Sequence, residues 1–369
     1  MKVVITGGGT GGHTSAGLAV AAALQQHGVE CAWIGSRTGI EARRVPAAGL
    51  PYHAIPTGKL RRYWKWQNLT DLLLHVPSGV VRARGLLARL NPNLLFATGG
   101  FVALPAVVAA RGLRIPIVVH EQTSSSGLAN RLAGRVAQKI ALTFPQSGPD
   151  FPRHKVVVTG NPLRPELLGG SREAGLARLG LDPALAVIYV TGGAQGSQRI
   201  NRSVGAILKP LLQICQVIHQ CGDNSETGDR RWLEEQTKGL PSELRLRYRL
   251  LPYVADELRD VYAVASLVVG RAGAGTVNEC CQLGLPALYI PLPGTRGDEQ
   301  TANARLVQAA GGAVIFPQVA LTPEGLLESV RGLLADPPGL KAMAERARSL
   351  SVPDAAERIV RLILEVASP

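Results

Sequence analysis

Residues 267–300 read LVVGRAGAGTVNECCQLGLPALYIPLPGTRGDEQ, and this stretch decides the fold. An apolar run ends at Val269, a glycine-rich loop follows from Gly270 to Gly275, and Thr276 begins a segment typical of a helix. Such a loop lets the backbone approach a ligand closely, and the unpaired amides of a helix N-terminus attract an anion such as phosphate. Glu279, about one turn into the helix, is placed to accept hydrogen bonds from paired sugar hydroxyls. The pattern favours a bound nucleotide, and a tight strand-to-helix turn without a ligand is the alternative.

Length and composition predict a folded protein of two lobes. The chain has 369 residues, and cores tend to divide beyond about 250 to 300 residues. Of the net charge of +13, residues 1–150 carry +11 (16 Lys and Arg against 5 Asp and Glu) and the remainder carries +2 (24 against 22). The first half therefore suits nucleic acid, an anionic membrane or a phosphorylated substrate. The sequence contains no recognisable nucleic-acid motif, so we expect no nucleic-acid partner.

Targeting and cysteine patterns narrow the class further. The opening MKVVITGGG is too short an apolar run for a secretory signal, so a cytoplasmic protein is expected. Residues 90–110 carry no charge, but their prolines and glycines favour strand, turn and helix over a membrane span. The five cysteines lack the spacing of a metal site, which predicts free thiols and no metal. We also expect no cofactor.

The motif of strand, glycine loop and helix opens each half of the chain. Strands are predicted at Lys2–Thr6, Val29–Ile34, Leu94–Thr98, Ile115–His120, Lys155–Thr159, Val187–Thr191, Val217–Gln220 and Ala287–Pro291. Strands that end in glycine or polar turns indicate an α/β fold with parallel sheets, and two such lobes suggest a cleft for ligands. The predicted domains are 1–160 and 161–351. A final helix within 352–369 has apolar residues at helical spacing and is expected to pack back on the first domain.

Residues 58–84 combine aromatic and basic side chains. Trp64 and Trp66 are two of the four tryptophans, and Lys59, Arg61, Arg62 and Lys65 surround them. Rings at headgroup depth with cations beside anionic lipid are typical of a membrane interface, so this stretch predicts peripheral membrane binding. An amphipathic helix edge with buried rings is the alternative.

The first glycine loop has the form Gly7-x-Gly9-x-x-Gly12, which is a dinucleotide fingerprint. The second predicted strand lacks the acidic residue that would hold a ribose, so a nicotinamide enzyme is disfavoured. His13 follows the loop directly and is a candidate general base, since an imidazole has an ordinary pKa of about 6.5. A helix-capping or supporting histidine is the alternative.

An ordered set of motifs covers nearly the whole chain. They are GGGTGGH (7–13), GGF (99–101), HEQ (120–122), GLAN (127–130), GNPLR (160–164), GGAQG (192–196), RAGAGTVNE (271–279), DEQTANA (298–304) and MAERAR (343–348). Together they resemble the MurG family, which adds N-acetylglucosamine to undecaprenyl-linked muramyl-pentapeptide in bacterial cell-wall synthesis. The resemblance implies a GT-B fold of two Rossmann-like domains facing across a cleft, and an inverting transfer.

The resemblance also implies roles for individual residues. His13 would be the catalytic base, Glu279 would hold the uridine ribose, and the backbone at Val254 would bind uracil. Thr10, Gly11 and Gly12 would cradle the acceptor diphosphate or the reacting sugar. The implied substrate-binding positions are Thr10, Gly11, Gly12, Thr123, Asn130, Arg164, Ala194, Val254, Ala274, Gly275, Thr276, Val277, Asn278, Glu279 and Gln300. The expected partners are UDP-N-acetylglucosamine, the undecaprenyl-linked acceptor lipid I, and an anionic membrane surface on the cytoplasmic face.

Several positions depart from the family pattern. Thr123 stands where asparagine is usual, Ala194 where serine is usual, Phe101 where tyrosine is usual, and Ala16 where proline is common. The first two alter polar groups that would contact the donor, which leaves donor identity open. The alternatives are a related transferase with another nucleotide sugar or lipid acceptor, and a non-catalytic protein that binds UDP-sugar or lipid.

Overall fold

The computed structural model comprises two compact units, each built on its own parallel sheet. One unit is Met1–Arg164 with Val352–Pro369, and the other is Pro165–Ser351. The residues that the structure describes are 1–57, 76–222, 224–254, 257–294 and 298–368. The prediction of two Rossmann-like parallel-sheet domains is confirmed.

The first unit has seven parallel strands in the order β3-β2-β1-β4-β5-β6-β7. Their bounds are β1 (Lys2–Gly7), β2 (Glu30–Ser36), β3 (Tyr52–Ile55), β4 (Leu94–Gly99), β5 (Ile117–Glu121), β6 (Lys139–Leu142) and β7 (Val156–Val158). The order reverses direction between β1 and β4, so the loops after these two strands open at a topological switch point. The first glycine loop follows β1, and β4 ends at Gly99 with Gly100 directly after it.

Helices cover both faces of this sheet. They are α1 (Gly11–Gln26), α2 (Glu41–Ala47), α3 (Val76–Leu90), α4 (Leu104–Gly112) and α5 (Leu128–Val136), with the C-terminal helix Ala355–Ala367. That last helix packs on α1 and buries Ile359 and Ile363 among Val20, Leu24 and Trp33. The C-terminal helix is thus part of the hydrophobic core of the first unit.

The second unit has six parallel strands in the order β10-β9-β8-β11-β12-β13. Their bounds are β8 (Val187–Thr191), β9 (Gln216–Gln220), β10 (Tyr248–Leu251), β11 (Leu267–Gly270), β12 (Ala287–Tyr289) and β13 (Ala313–Ile315). The switch point lies between β8 and β11, and a glycine loop follows each of these two strands. Both loops therefore lie at the edge where such sheets bind ligands.

Ten helices of the second unit are described. They are α6 (Arg172–Leu179), α7 (Gln198–Ala206), α8 (Leu208–Ile214), α9 (Asp229–Lys238), α10 (Ser242–Arg245), α11 (Leu258–Val264), α12 (Ala274–Leu283), α13 (Glu299–Ala309), α14 (Pro323–Leu334) and α15 (Pro337–Arg348); in chain order the C-terminal helix is α16. The core joins apolar side chains of β8, β9 and β11 to α7, α8 and α14. These packed layers fix where the strand ends, and hence the glycine loops, can lie.

The predicted membrane-binding stretch is only partly described. Residues 58–75, with both tryptophans and the four basic residues, lie outside the described residues, and residues 76–84 belong to α3. Over the described ranges, the structure contains no helix whose length and hydrophobicity would suffice to cross a membrane.

Candidate active site

The first glycine loop delivers His13 to the switch point of the first unit. Thr10 caps α1, and its hydroxyl accepts the amide hydrogen of His13 at 3.5 Å. Gly99 closes the other side of the ring: at φ +108, a Cβ on it would lie 2.8 Å from Asn130 Oδ1 and 2.9 Å from His13 Cε1. Only glycine fits there, because the backbone and the space both exclude a side chain.

The imidazole of His13 is held in one tautomer. Its Nδ1 donates to the backbone carbonyl of Thr98 at 2.7 Å, which leaves Nε2 as the acceptor. Burial lowers the pKa of His13, and the Thr98 carbonyl and the nearby Glu41 charge oppose that shift in part. His13 is therefore neutral near pH 7 and carries a lone pair on Nε2, as a general base requires.

Glu121 organises the turn that contains Thr123. Its carboxylate accepts the Thr123 hydroxyl at 2.7 Å, the Thr123 amide at 3.1 Å and the Asn130 side-chain amide at 2.9 Å. Burial raises the pKa of Glu121, and these hydrogen bonds oppose the shift. The structure thus brings Asn130 and His13 close to the same point beside Gly99, whereas the buried Thr123 side chain is occupied within its own turn.

His120 lies fully buried beside this cluster. Its Nε2 is 3.2 Å from the carbonyl oxygen of Gly160, and burial lowers its pKa to about 4. The ring is therefore neutral at physiological pH. It ties the end of β5 to the segment that leads out of the first unit, where Arg164 is the last residue.

Glu41 is a buried carboxylate at the first glycine loop that sequence reasoning missed. It accepts the amide hydrogen of Gly9 at 3.1 Å and the hydroxyl of Ser36 at 2.5 Å. It lies 32 residues from Gly9, so no local pattern announces the contact. A clue was present in the glycines at 8, 35 and 39, since a Cβ at any of them would collide with Glu41.

In the second unit, Arg271 joins the two glycine loops. Its guanidinium donates to the Ser197 hydroxyl at 2.8 Å, the Ile290 carbonyl at 2.8 Å and Gln318 Oε1 at 2.6 Å. Ser197 ends the loop after β8, and Ile290 follows β12. A buried cation therefore lies at the switch point, and the planar fork of donors fixes the loops relative to each other. The sequence marked Arg271 only as part of a motif.

The N-terminus of α12 presents backbone amides. Gly273 is its N-cap and has no side chain to cap the helix, so the amides of Ala274, Gly275 and Thr276 point out of the first turn. The helix begins two residues before the predicted start. Val277 is fully buried, and the Asn278 side chain donates to the Ala274 carbonyl at 2.8 Å, so these two predicted residues turn inward.

Glu279 is positioned by a tyrosine that the sequence did not reveal. The hydroxyl of Tyr262 donates to Glu279 Oε2 at 2.7 Å, and the Tyr262 ring packs edge-on against Tyr189 with centroids 5.6 Å apart. Burial raises the pKa of Tyr262 well above its ordinary value, so the phenol keeps its proton and remains a donor. Glu279 is half-buried, and the Tyr262 hydroxyl on α11 orients its carboxylate.

The remaining predicted positions lie elsewhere in the second unit. Gln300 accepts the amide hydrogen of Leu292 at 3.0 Å and so braces the chain after β12. Ala194 lies in the turn after β8, and Gln220 donates to the Gly193 carbonyl at 3.0 Å beside it. Val254 is buried and ends a described range. Among described residues, no group of three or more His, Cys, Asp or Glu is arranged to hold a metal ion.

Comparisons with known proteins agree on one family. The chain matches the glycosyltransferase family 28 N-terminal domain over residues 3–142 and the C-terminal domain over residues 187–359. It is 37% identical, over 91% of each chain, to the UDP-N-acetylglucosamine–N-acetylmuramyl-(pentapeptide) pyrophosphoryl-undecaprenol N-acetylglucosamine transferase of Lachnospira eligens. The protein of that name from Halothermothrix orenii is 37% identical over 100% of this chain and 99% of its own. The crystal structure of Acinetobacter baumannii MurG superposes with a TM-score of 0.72 at 29% identity, covering 99% of each chain.

This chain belongs to the MurG family. The family resemblance drawn from the ordered motifs is thereby confirmed. The fold is shared more widely: a glycotransferase of kitacinnamycin superposes with a TM-score of 0.72 at 17% identity. Because both glycine loops lie in a chain of the MurG family, the polar side chains that hold these loops in place are the ones to consider for function.

Proposed function

We propose that the protein transfers N-acetylglucosamine from UDP-N-acetylglucosamine to the C4 hydroxyl of undecaprenyl-pyrophosphoryl-N-acetylmuramyl-pentapeptide, with inversion at the anomeric carbon. The product is the disaccharide lipid known as lipid II. Family membership supports the reaction class, since the curated relatives are N-acetylglucosamine transferases by name. The observation that carries the mechanism is the hydrogen bond from His13 Nδ1 to the Thr98 carbonyl, because it leaves Nε2 free of its proton.

The reaction needs a proton acceptor at the attacking hydroxyl. His13 Nε2 takes that proton, the hydroxyl oxygen forms a bond to the anomeric carbon, and the bond from that carbon to the UDP oxygen breaks with its electron pair. The lowered pKa of His13 keeps the base unprotonated at neutral pH. The hydrogen bond to Thr98 and the close approach of Gly99 fix the ring, so the orientation of Nε2 is set before substrate binds. Thr10, Gly11 and Gly12 are the proposed cradle for the acceptor.

The donor site is proposed in the second unit. The diphosphate lies at the amides of Ala274, Gly275 and Thr276, where a helix N-terminus favours negative charge. The buried Arg271 guanidinium adds a positive charge at the same switch point. Glu279 accepts hydrogen bonds from the ribose hydroxyls, and Gln300 is the remaining proposed donor contact of this unit. Charge that develops on departing UDP is thus met by fixed dipoles and a cation.

The acceptor is a lipid, so we propose peripheral binding at the cytoplasmic face of the membrane through the first unit. That unit carries most of the basic excess. Three of its helices pack in succession, α3 on α4 and α4 on α5, and they expose the apolar side chains Val81, Val108, Leu128 and Leu132. Exposed arginines accompany them on the same helices, at positions 82, 84, 89, 111, 131 and 135. Apolar side chains flanked by cations suit an anionic lipid surface.

The proposed function is tested by a transfer assay with purified protein and a soluble analogue of the lipid acceptor. A panel of nucleotide sugars competes in one reaction, and the product is read by mass. We expect N-acetylglucosamine addition with release of UDP. Transfer of a different sugar would identify another donor, which the departures at Thr123 and Ala194 make worth testing. UDP-sugar binding without any product, across several detergents and divalent metals, would instead favour a binding protein.

Membrane binding needs its own experiment. Flotation with vesicles of neutral lipid, and with vesicles that contain anionic lipid, should show binding to the anionic vesicles that falls as salt rises. The matched variants are Val81→Ser and Val319→Ser, since both side chains are highly exposed but Val319 belongs to the second unit. Val81→Ser should weaken flotation and Val319→Ser should not. Equal flotation of all three proteins would reject the proposed surface.

A further inference from the structure

Glu41 occupies a space that three glycines leave open. A Cβ on Gly8 would lie 2.3 Å from Glu41 Cδ, one on Gly39 would lie 2.2 Å from Oε1, and one on Gly35 would lie 3.0 Å from Cγ. The carboxylate is fully buried at the start of α2. Burying a charge is costly unless it is hydrogen-bonded, so a carboxylate in this position calls for an explanation.

The hydrogen bonds of Glu41 connect the loop after β1 to the end of β2. Oε2 accepts the amide hydrogen of Gly9 at 3.1 Å, and Oε1 accepts the amide at 3.3 Å and the hydroxyl at 2.5 Å of Ser36. All three groups are donors, which matches an ionised carboxylate with acceptor oxygens only. Glu41 thereby fixes the loop that leads into the helix carrying His13.

The backbones of Gly8 and Gly100 link Glu41 to the His13 ring. Glu41 packs against Gly8, and the Gly8 carbonyl oxygen lies 2.5 Å from where a Cβ on Gly100 would be. The same Cβ would lie 3.5 Å from His13 Cδ2. Because the Glu41 carboxylate is buried, solvent screens its charge poorly, and that charge raises the pKa of the His13 imidazole.

We propose that Glu41 is a positioning residue for His13: it anchors the glycine loop, and its negative charge favours the imidazolium that forms when Nε2 accepts the acceptor's hydroxyl proton. This inference rests on the proposed function. The bonds that form and break are those of the sugar transfer itself. The O–H bond of the acceptor breaks, an N–H bond on His13 and the bond to the anomeric carbon form, and UDP leaves with the electron pair. Glu41 exchanges no proton and acts through its charge.

Other titratable groups near His13 cannot replace this charge. His120 on β5 is neutral, because burial lowers its pKa to about 4. Glu121, also on β5, accepts hydrogen bonds from Thr123 and Asn130, and Glu41 is the carboxylate whose charge raises the pKa of His13. Arg44, one turn along α2, reaches Ser15 at 3.4 Å and carries the opposite sign. Burial lowers the pKa of His13, and the Glu41 charge opposes that effect.

The test is the pH dependence of kcat/KM in the full-length protein with Glu41→Gln, which keeps the side-chain length and removes the charge. The acidic limb should move to lower pH by about one unit, because a neighbouring opposite charge shifts a pKa by about that much or more. The plateau of kcat should fall up to about tenfold, since a base weakened by one pKa unit loses at most that factor. KM for the UDP-sugar should not change. The matched control is Glu30→Gln, an exposed carboxylate on β2 that pairs with Lys2.

A direct readout separates this inference from the proposed function. The C2 proton of His13 is titrated by NMR without substrates, and Glu41→Gln should lower its midpoint while Glu30→Gln leaves it in place. An unchanged midpoint and limb in Glu41→Gln would overturn the inference even if wild-type protein transfers the sugar. If Glu41→Gln does not fold, Ser36→Ala replaces it. Loss of a donor leaves the carboxylate charge less compensated, so the His13 midpoint should rise, and no rise would overturn the inference equally.

Discussion

Replacing Tyr262 with phenylalanine separates the orientation of Glu279 from its presence. The substitution deletes one hydroxyl, which donates to Glu279 Oε2 at 2.7 Å. The ring is almost fully buried and packs edge-on on Tyr189, and phenylalanine keeps that packing. The fold should therefore be retained, while Glu279 loses a donor that fixes its rotamer.

The size of the effect follows from the chemistry of the lost bond. A hydrogen bond to a charged acceptor contributes about 1.5–3 kcal/mol. Glu279 can still reach a ribose after the change, so only part of this appears in binding. We expect UDP affinity to fall by about 1–2 kcal/mol, which is roughly 5- to 30-fold in Kd. Affinity for 2′-deoxy-UDP should fall less, because that ligand lacks one of the hydroxyls from which Glu279 is proposed to accept a hydrogen bond.

Calorimetric titration of UDP and 2′-deoxy-UDP into both proteins measures this directly. The wild-type preference for UDP should narrow in Tyr262→Phe. The matched control is Tyr248→Phe, which removes another buried hydroxyl, the one 2.8 Å from His219 Nδ1 on β9. The control should not alter the preference. Equal weakening of both ligands in Tyr262→Phe, or unchanged affinity for both, would refute the proposed role of the Tyr262–Glu279 pair.

Three further predictions concern stability and geometry. Arg271→Lys replaces two separated guanidinium nitrogens with one ammonium nitrogen, which cannot reach all three acceptors of Arg271. Its urea midpoint should correspond to a loss of about 2–3 kcal/mol with weaker UDP binding, and an unchanged midpoint would argue against the link between loops. Burial lowers the pKa of His120 to about 4 and that of His219 to about 3, so below pH 6.5 the unfolded chain binds protons that the folded chain does not. The urea midpoint of unfolding should therefore decrease as the pH is lowered from 6.5 to 4. A constant midpoint over this range would contradict the prediction. Gly99→Ala should displace His13 and lower turnover by about 100-fold or more with UDP binding retained, as measured by steady-state rates and titration.

The parts of the fold that sequence predicted were those with a local signature. Strands that end in a glycine loop, such as Val187–Thr191, coincide with the structure. The predicted strand bounds at Val29–Ile34 differ from β2 by one or two residues. The strands β3, β6, β10 and β13 were missed. All four are only three or four residues long, which is too short for a strong apolar run. Three of them, β3, β10 and β13, lie at sheet edges and pair with one neighbour, whereas β6 lies between β5 and β7.

The residues that support the candidate site were less predictable, because their partners are distant in sequence. Tyr262 lies 17 residues before Glu279, and Arg271 lies 74 residues after Ser197. Hydrogen bonds of this kind depend on which strand ends are neighbours, and the order of the strands in a sheet cannot be read from any single segment of sequence. Family motifs marked the positions that ligands would contact. They did not mark the side chains that orient those positions.

The two glycine loops share a backbone motif, but the motif alone does not determine which ligand each loop binds. Loops after β1 and after β11 share glycine content, a switch-point location and a following helix. Their electrostatics differ in sign: the first has the buried Glu41 carboxylate on the Gly9 amide, and the second has the buried Arg271 guanidinium. The Thr10 hydroxyl also accepts an amide hydrogen of α1, whereas the N-cap of α12, Gly273, has no side chain to accept one. A diphosphate is stabilised by cations and open amides, so the charge distribution favours the UDP diphosphate at the second loop and leaves the first to present a neutral base.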